Sequence, residues 1–126
     1  HMNIYSNKKL NLWLMEQILG EKMINKKEIT ELAELFKIFS SETRLKILYL
    51  LIDTEMCVHD IAKLINMNQS AVSHQLAVLR EAHLVRYERK GRVLFYSLKK
   101  SYVRKVLTQI IETKNSEVEK KKKHSD

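Results

Sequence analysis

The chain has 126 residues, 44% of them hydrophobic and 30% charged, which is enough for one hydrophobic core and too polar for an integral membrane protein. No stretch approaches the roughly 18 consecutive apolar residues of a membrane helix, and no secretory signal pattern is present, so we expect a cytoplasmic protein. The formal net charge of +8 favours a polyanionic partner, nucleic acid first.

The N-terminal part is predicted to form a helix. His1 and Met2 are typical of a cloning scar, and His1 is not counted among candidate ligands. Apolar residues from Leu10 to Leu19 follow helical spacing, and Gly20 is predicted to close this helix in the left-handed conformation. Because the chain has no proline and only two glycines, it is expected to be mostly helical, with a turn at each glycine.

Two further helices are predicted before residue 53. Asn25 and Glu28 have the spacing of a capping box, and they precede an apolar stripe that runs from Ile29 to Phe39. Ser40 or Ser41 is expected to cap the next helix. Its inward side chains are predicted to be Leu45, Leu48, Tyr49 and Ile52.

The middle of the chain has the pattern of a helix-turn-helix. Thr54 is the predicted cap of a helix that runs to about Ile65. A short polar turn follows, and then a second helix with three inward apolar residues, Val72, Leu76 and Leu79. Two short helices joined by about four residues predict a helix-turn-helix over about residues 55–82.

The remaining sequence predicts a wing and a last helix. Strand-forming residues flank "RKGR" over about residues 84–98, and Gly91 can take the positive φ of a tight hairpin. Apolar residues at helical spacing predict an amphipathic helix over about residues 101–116, followed by a basic disordered tail at 117–126. The predicted fold is therefore mainly α with a small β-hairpin, in one winged helix-turn-helix domain over residues 3–116.

The second helix of the predicted helix-turn-helix has short polar side chains on its outer face, which suit reading of base edges in the major groove of DNA. A polar outer face is also usual for any surface helix, but the neighbouring basic hairpin favours DNA. The candidate DNA-binding residues are Gln69, Ser70, Ser73, His74 and Gln75 on the helix and Arg89, Lys90 and Arg92 on the wing.

The first and last helices both carry apolar faces, which is more apolar surface than one small core requires. A second copy of the chain packed on these faces would form a two-fold dimer and place two recognition helices about one DNA turn apart. The alternative is that both helices close the core of a single subunit.

Three segments carry a resemblance to a known family: "LFKIFSSETRLKILYLL", "EMCVHDIAKLINMNQSAVSHQLAVLREAHLV" and "RKGRVLFYSL". From about Glu31 to Leu98 the chain resembles the ArsR/SmtB family of metal-responsive bacterial repressors, and within it the zinc and cadmium sensors. The resemblance implies a homodimeric winged-helix repressor that binds an inverted-repeat operator through the residues named above and is released by an inducer.

The resemblance also implies a metal site on the "CVHD" segment, with Cys57, His59 and Asp60 as candidate ligands and zinc or cadmium as the inducer. Relatives complete this site from an N-terminal arm, which here has no cysteine and no histidine. A second site of the family, on the last helix, does not carry over because "KSY" replaces its Asp-x-His pair. Without metal, Cys57 would serve as a small hydrophobe and Asp60 would favour the helix N-terminus.

Two other functions compete with a metal-responsive repressor. A repressor of the same fold can respond to a non-metal signal or to none, and a protein-interaction module can keep the fold without reading DNA. Catalysis is not expected, because Cys57 and His59 at i, i+2 of a helix diverge and no phosphate-binding loop or carboxylate pair is present.

Overall fold

The computed structural model describes residues 6–124, with side chains to residue 122, and its contacts divide the chain into two compact units. The first ends at Lys37 and the second begins at Ile38, whereas the sequence predicted one domain over residues 3–116. His1 and Met2, the predicted cloning scar, lie outside the described residues. Within the described part, no helix is long and apolar enough to cross a membrane.

The first unit begins with helix α1 (Lys8–Glu21), and the prediction that Gly20 ends this helix is wrong. Gly20 lies inside α1, and the left-handed residue is Met23, with a φ of 60°. After the left-handed Met23, the amide of Ile24 donates to the carbonyl of Leu19 across 3.0 Å. This hydrogen bond satisfies a carbonyl of the last helical turn. Glycine permits a left-handed conformation but does not require it, so the helix continues through Gly20.

Helix α2 (Lys26–Phe39) starts where the capping pattern predicted. The Oδ1 atom of Asn25 accepts a hydrogen bond from the amide of Glu28 across 2.8 Å. The Asn25 side chain therefore satisfies one of the amides that a helix start leaves without an intrahelical partner.

The second unit contains four further helices and a small sheet, and this mainly α fold confirms the prediction. Its elements are α3 (Glu42–Leu50), β1 (Met56–Cys57), α4 (Val58–Ile65), α5 (Gln69–Glu81), β2 (Val85–Lys90), β3 (Val93–Leu98) and α6 (Ser101–His124). Their core consists of aliphatic side chains, chiefly Ile47, Leu48, Leu51, Ile61, Val72, Leu76, Leu79, Leu84, Val85, Val103 and Leu107. Burial of these side chains is the main stabilising contribution.

Helix α3 is capped as predicted but buries a partly different face. The Oγ atom of Ser41 accepts from the amide of Arg44 across 3.3 Å. Leu48 is buried as predicted, whereas Ile47 and Leu51 were not predicted to be inward and are fully buried. The ring of Tyr49 is partly exposed, and its hydroxyl donates to the carbonyl of Leu107 across 3.0 Å, which ties α3 to α6.

The start of α4 also differs from the prediction, because its cap is Cys57 and not Thr54. Cys57 has an extended backbone (φ −85°, ψ 163°). It is extended because Met56 and Cys57 form the short strand β1, which pairs with Tyr96 and Phe95 of β3. The sheet order is β1-β3-β2, with all strands antiparallel, so the predicted two-stranded wing is part of a three-stranded sheet.

The wing turns at a two-residue connection between the paired residues Lys90 and Val93. Gly91 has a φ of 67° there, as predicted from its position. Primed hairpin turns require a positive φ, which costs an L-residue roughly 1–2 kcal/mol.

Gly91→Ala is therefore expected to lower the free energy of unfolding by about 1 kcal/mol, measured by urea denaturation followed by circular dichroism. The matched control is Gly20→Ala. An added methyl group at Gly20 meets nothing within 4 Å, and the backbone is helical, so this change should raise stability by ~0.5–1 kcal/mol. Equal effects of the same sign at both positions would contradict the assigned conformations.

Helix α6 is longer than predicted. It begins at Ser101 as expected, but it continues to His124, so residues 117–124 are helical where a disordered tail was predicted. Glutamate and lysine are good helix formers, and Glu117 precedes Lys121 by four residues, a spacing that stabilises helices. Residues 125 and 126 lie outside the described part.

Candidate nucleic-acid interface

Helix α5 has one buried face and one exposed face. It begins after Asn68, whose Oδ1 atom accepts from the amide of Ala71 across 2.7 Å. Val72, Leu76 and Leu79 are fully buried, which confirms the predicted inward face. Ser70 and His74 lie on the opposite, exposed side of the helix, whereas Gln69 and Gln75 flank the buried face.

Three of the five predicted base-reading residues are exposed and make no hydrogen bond to other described residues. These are Ser70, Ser73 and His74, and it is their side chains that lack a hydrogen bond within the described part of the chain. Gln69 is exposed as well, but its Nε2 atom lies 3.1 Å from Nδ1 of His59 on α4. This contact joins the first turn of α4 to the first turn of α5.

Gln75 is half-buried, and its side chain is hydrogen-bonded to Arg44, a residue that was not predicted from the sequence to belong to the site. Arg44 Nε donates to Gln75 Oε1 across 2.9 Å, and its Nη1 atom donates to the carbonyl of Ile38 across 3.4 Å. With Oε1 occupied, the Gln75 amide offers its Nε2 donors to an outside partner. No pattern in the sequence points to this contact, because the two residues are 31 positions apart.

The three predicted cations of the wing differ in their contacts with the rest of the chain. Arg89 and Arg92 are exposed. Lys90 forms an ion pair with Glu55, and its ammonium group lies 5.3 Å from the centre of the Phe95 ring. The hydrogen bond with Glu55 raises the pKa of Lys90 above its ordinary value of 10.5. Of the three predicted wing cations, Arg89 and Arg92 therefore form no ion pair with a described residue.

An aromatic contact joins α5 to the wing. The guanidinium of Arg80 lies 4.3 Å from the centre of the Tyr87 ring on β2, and the Tyr87 and Tyr96 rings are 5.6 Å apart. Burial raises the pKa of Tyr96. Leu84 and Val85, which link the helix to β2, are buried in the core. These contacts fix the orientation of the wing relative to α5.

The candidate metal ligands do not converge. Among the described residues, no group of three or more His, Cys, Asp or Glu side chains is placed to hold a metal ion. Cys57 is half-buried, with its partner Phe95 on the sheet, while His59 and Asp60 are exposed on α4. His59 is directed towards Gln69. The three residues predicted from the sequence therefore do not form a metal site within one chain, because His59, at i+2 from Cys57 and next to Asp60, is directed away from both.

A bidentate ion pair holds the loop before β1 against α6. Arg104 Nε and Nη2 donate to the two carboxylate oxygens of Asp53 across 2.8 and 2.9 Å. These hydrogen bonds lower the pKa of Asp53 below its ordinary value of 3.8. A lowered pKa in the folded state means that the charged pair stabilises the fold above pH ~3.8 and loses this effect as the pH falls through the lowered value.

Asp53→Asn is accordingly expected to lower the melting temperature at pH 7, with the difference from the wild type closing as the pH falls through the lowered pKa of Asp53. Calorimetry from pH 7 down to pH 2 would measure this. In an Arg104→Gln background, Asp53→Asn should produce no such closing gap. A gap that widens on acidification would contradict the assigned pair.

Comparison with known proteins agrees with this geometry. The family described as "Bacterial regulatory protein, arsR family" matches residues 41–87, from the cap of α3 to the middle of β2. This segment contains the complete helix-turn-helix.

Similar proteins extend the match. A cadmium resistance transcriptional regulatory protein CadC homolog of Staphylococcus aureus is 32% identical over 89 residues, 70% of this chain and 74% of that protein. A transcriptional repressor SmtB homolog of Synechocystis is 38% identical over 80 residues, 64% of this chain but only 61% of that protein. In structure, the homodimeric winged helix-turn-helix DNA-binding domain Mb0332 of Mycobacterium bovis is 26% identical, with a TM-score of 0.63 over 69% of this chain and 81% of that one.

Proposed function

This chain belongs to the arsR family of bacterial regulatory proteins, and from this premise we propose that it is a homodimeric repressor that binds an inverted-repeat operator in the cytoplasm. The observation that carries the proposal is the exposed polar N-terminal end of α5 beside an exposed basic wing in one compact unit. A polar helix end can read base edges, and arginines can neutralise phosphates.

Helix α6 supports the dimer. Val103 and Leu107 are buried in the subunit, but Val106, Ile110 and Ile111 are 37–49% exposed on the same helix. A row of exposed aliphatic side chains at helical spacing is a usual contact surface between subunits. The Mycobacterium bovis domain, which is similar to this chain, is described as homodimeric. A two-fold axis through such a contact would present two α5 helices to two half-sites.

The proposed division of labour follows from exposure. Ser70, Ser73 and His74 would contact base edges and supply most of the specificity. Arg89 and Arg92 would contact phosphates and supply affinity that does not depend on sequence. Gln69 and Gln75 would also contact DNA. The Oε1 atom of Gln69 is not used in its contact with His59, and the Nε2 atom of Gln75 is not used in its contact with Arg44.

Fluorescence anisotropy with a labelled duplex from the protein's own promoter tests the proposal. Binding should be at least about 1000-fold tighter than to a random duplex of equal length at moderate salt. Equal affinity for the two duplexes would contradict it, and it would favour a protein-interaction module of the same fold. Sedimentation of the free protein tests the dimer independently.

The proposal also includes a metal inducer. The described residues of one chain do not by themselves form a complete metal site. Relatives are named for cadmium resistance, and Cys57 and Asp60 keep the spacing of the family motif. Because residues 6–122 of one chain offer no group of three or more ligands, zinc or cadmium would need further donors, for example from the partner subunit. Release of DNA by added zinc or cadmium, lost in Cys57→Ser, would support it. Release by neither metal would leave a repressor with a non-metal inducer or none.

A further inference from the structure

A second basic surface lies at the base of the wing, away from its tip. A groove of about 500 Å³ opens where the end of α5 meets β2. We call it the wing-base groove, and its lining residues are Arg80, His83, Val85, Arg86, Tyr87 and Lys99. None of the candidate DNA-binding residues lines it.

The charge of this groove is unbalanced. Arg80, Arg86 and Lys99 are cationic, and no carboxylate is among the lining residues. Within the described part of the chain, none of the three forms an ion pair. Other cations of the same unit do find carboxylates, as Lys90 does with Glu55 and Arg104 with Asp53. Three cations that line one concave surface and form no ion pair within the described residues attract an anion.

The position of Arg80 is set by packing, because its guanidinium lies on the Tyr87 ring. Such stacking leaves the edge of the guanidinium, with its N–H donors, open to an oxygen-rich ligand. The neighbouring Arg86 lies on β2, an edge strand of the sheet, and its side chain is exposed. Fork-shaped arginine donors match the tetrahedral oxygens of a phosphate.

Some of the last carbonyls of α5 accept hydrogen bonds from the chain's own amides. They would attract cations if they were open, but the amide of His83 donates to the carbonyl of Arg80, and that of Leu84 to the carbonyl of Leu79, both across 3.0 Å. His83 adopts a φ of 61° at this turn. The carbonyls of Leu79 and Arg80 are thereby satisfied within the chain.

We propose that the wing-base groove is a phosphate-binding site formed by Arg80, Arg86 and Lys99. Two sources of phosphate fit this chemistry: the backbone of DNA that flanks the half-site, and a small phosphorylated molecule. The phosphate site itself does not depend on the proposed repressor function, whereas its use on flanking DNA does.

The first experiment uses the full chain and inorganic phosphate. Amide shifts in ¹H–¹⁵N NMR are followed during titration with phosphate and, at equal ionic strength, with chloride. Phosphate should shift the amides of Arg86 and Lys99 saturably, and Arg86→Gln or Lys99→Gln should weaken binding about fivefold each. The control Lys114→Gln, which removes a charge from an exposed position of α6, should leave phosphate affinity unchanged. Shifts no larger than those in chloride, or equal weakening by Lys114→Gln, would overturn the proposal.

A second experiment separates the two sources. If the phosphate belongs to flanking DNA, a duplex with long flanks should displace inorganic phosphate, and Arg86→Gln should weaken binding of that duplex about fivefold and flatten its salt dependence. Trimming the flanks should remove the difference between wild type and variant. If the source is a small molecule, phosphate and DNA should bind together, and Arg86→Gln should not change DNA affinity. Failure of operator recognition with intact phosphate binding would count against the proposed function alone.

Discussion

Ile61→Ala is expected to lower the free energy of unfolding by about 2–5 kcal/mol, because the side chain of Ile61 is fully buried where α4 packs in the core. The change removes three carbon atoms and leaves a cavity that close-packed neighbours fill only in part. The free energy of unfolding of a domain of this size is about 5–15 kcal/mol, so the expected loss is a large fraction of the total. Urea denaturation followed by circular dichroism would measure the loss.

Leu64→Ala on the same helix is the matched control. Leu64 is 61% exposed, so its truncation should change the free energy of unfolding by less than about 0.5 kcal/mol. DNA affinity of Ile61→Ala, measured at a temperature where the variant is folded, should stay close to that of the wild type, because Ile61 supports α5 without facing DNA. Comparable destabilisation by both substitutions would mean that the buried face of α4 is wrongly assigned.

The inward face of α5 could be predicted because one strong local pattern determines it. Val72, Leu76 and Leu79 recur at helical spacing, and the structure buries all three. The conformation of Gly91 could be predicted for a related reason, since a short basic turn between two strand-like segments needs a residue with positive φ. In both cases the determining residues are close together in the sequence.

Features that depend on distant residues could not be predicted. Strand β1 is two residues long and exists because β3, nearly 40 positions later, supplies its partner. Because of that pairing, the N-cap of α4 is Cys57 and not Thr54, the residue that was predicted. Likewise, the ion pair between Lys90 and Glu55 joins residues that are 35 positions apart, so no local pattern indicated it. Local patterns indicate which residues are polar, whereas tertiary contacts decide which of them remain available to a ligand.

The availability of polar groups also explains which substitution should most affect sequence recognition. His74 is exposed on α5 beside Ser73, and its side chain has no hydrogen-bond partner among the described residues, so its ring can reach a base edge. His74→Ala is expected to weaken binding to the operator by ~1–3 kcal/mol and to leave random duplexes nearly unaffected. Anisotropy titrations with both duplexes would measure the two affinities at one salt concentration.

Arg92→Ala is the contrasting variant, because Arg92 lies at the exposed tip of the wing and would contact phosphate only. It should weaken operator and random duplexes by the same factor and reduce the slope of log affinity against log salt by about 0.9. The two variants therefore differ in their effect on specificity. His74→Ala should lower the ratio of operator affinity to random-duplex affinity, and Arg92→Ala should preserve that ratio. If His74→Ala also preserved that ratio, base reading would have to be reassigned to Ser70 and Ser73, the other exposed residues of the same helix end.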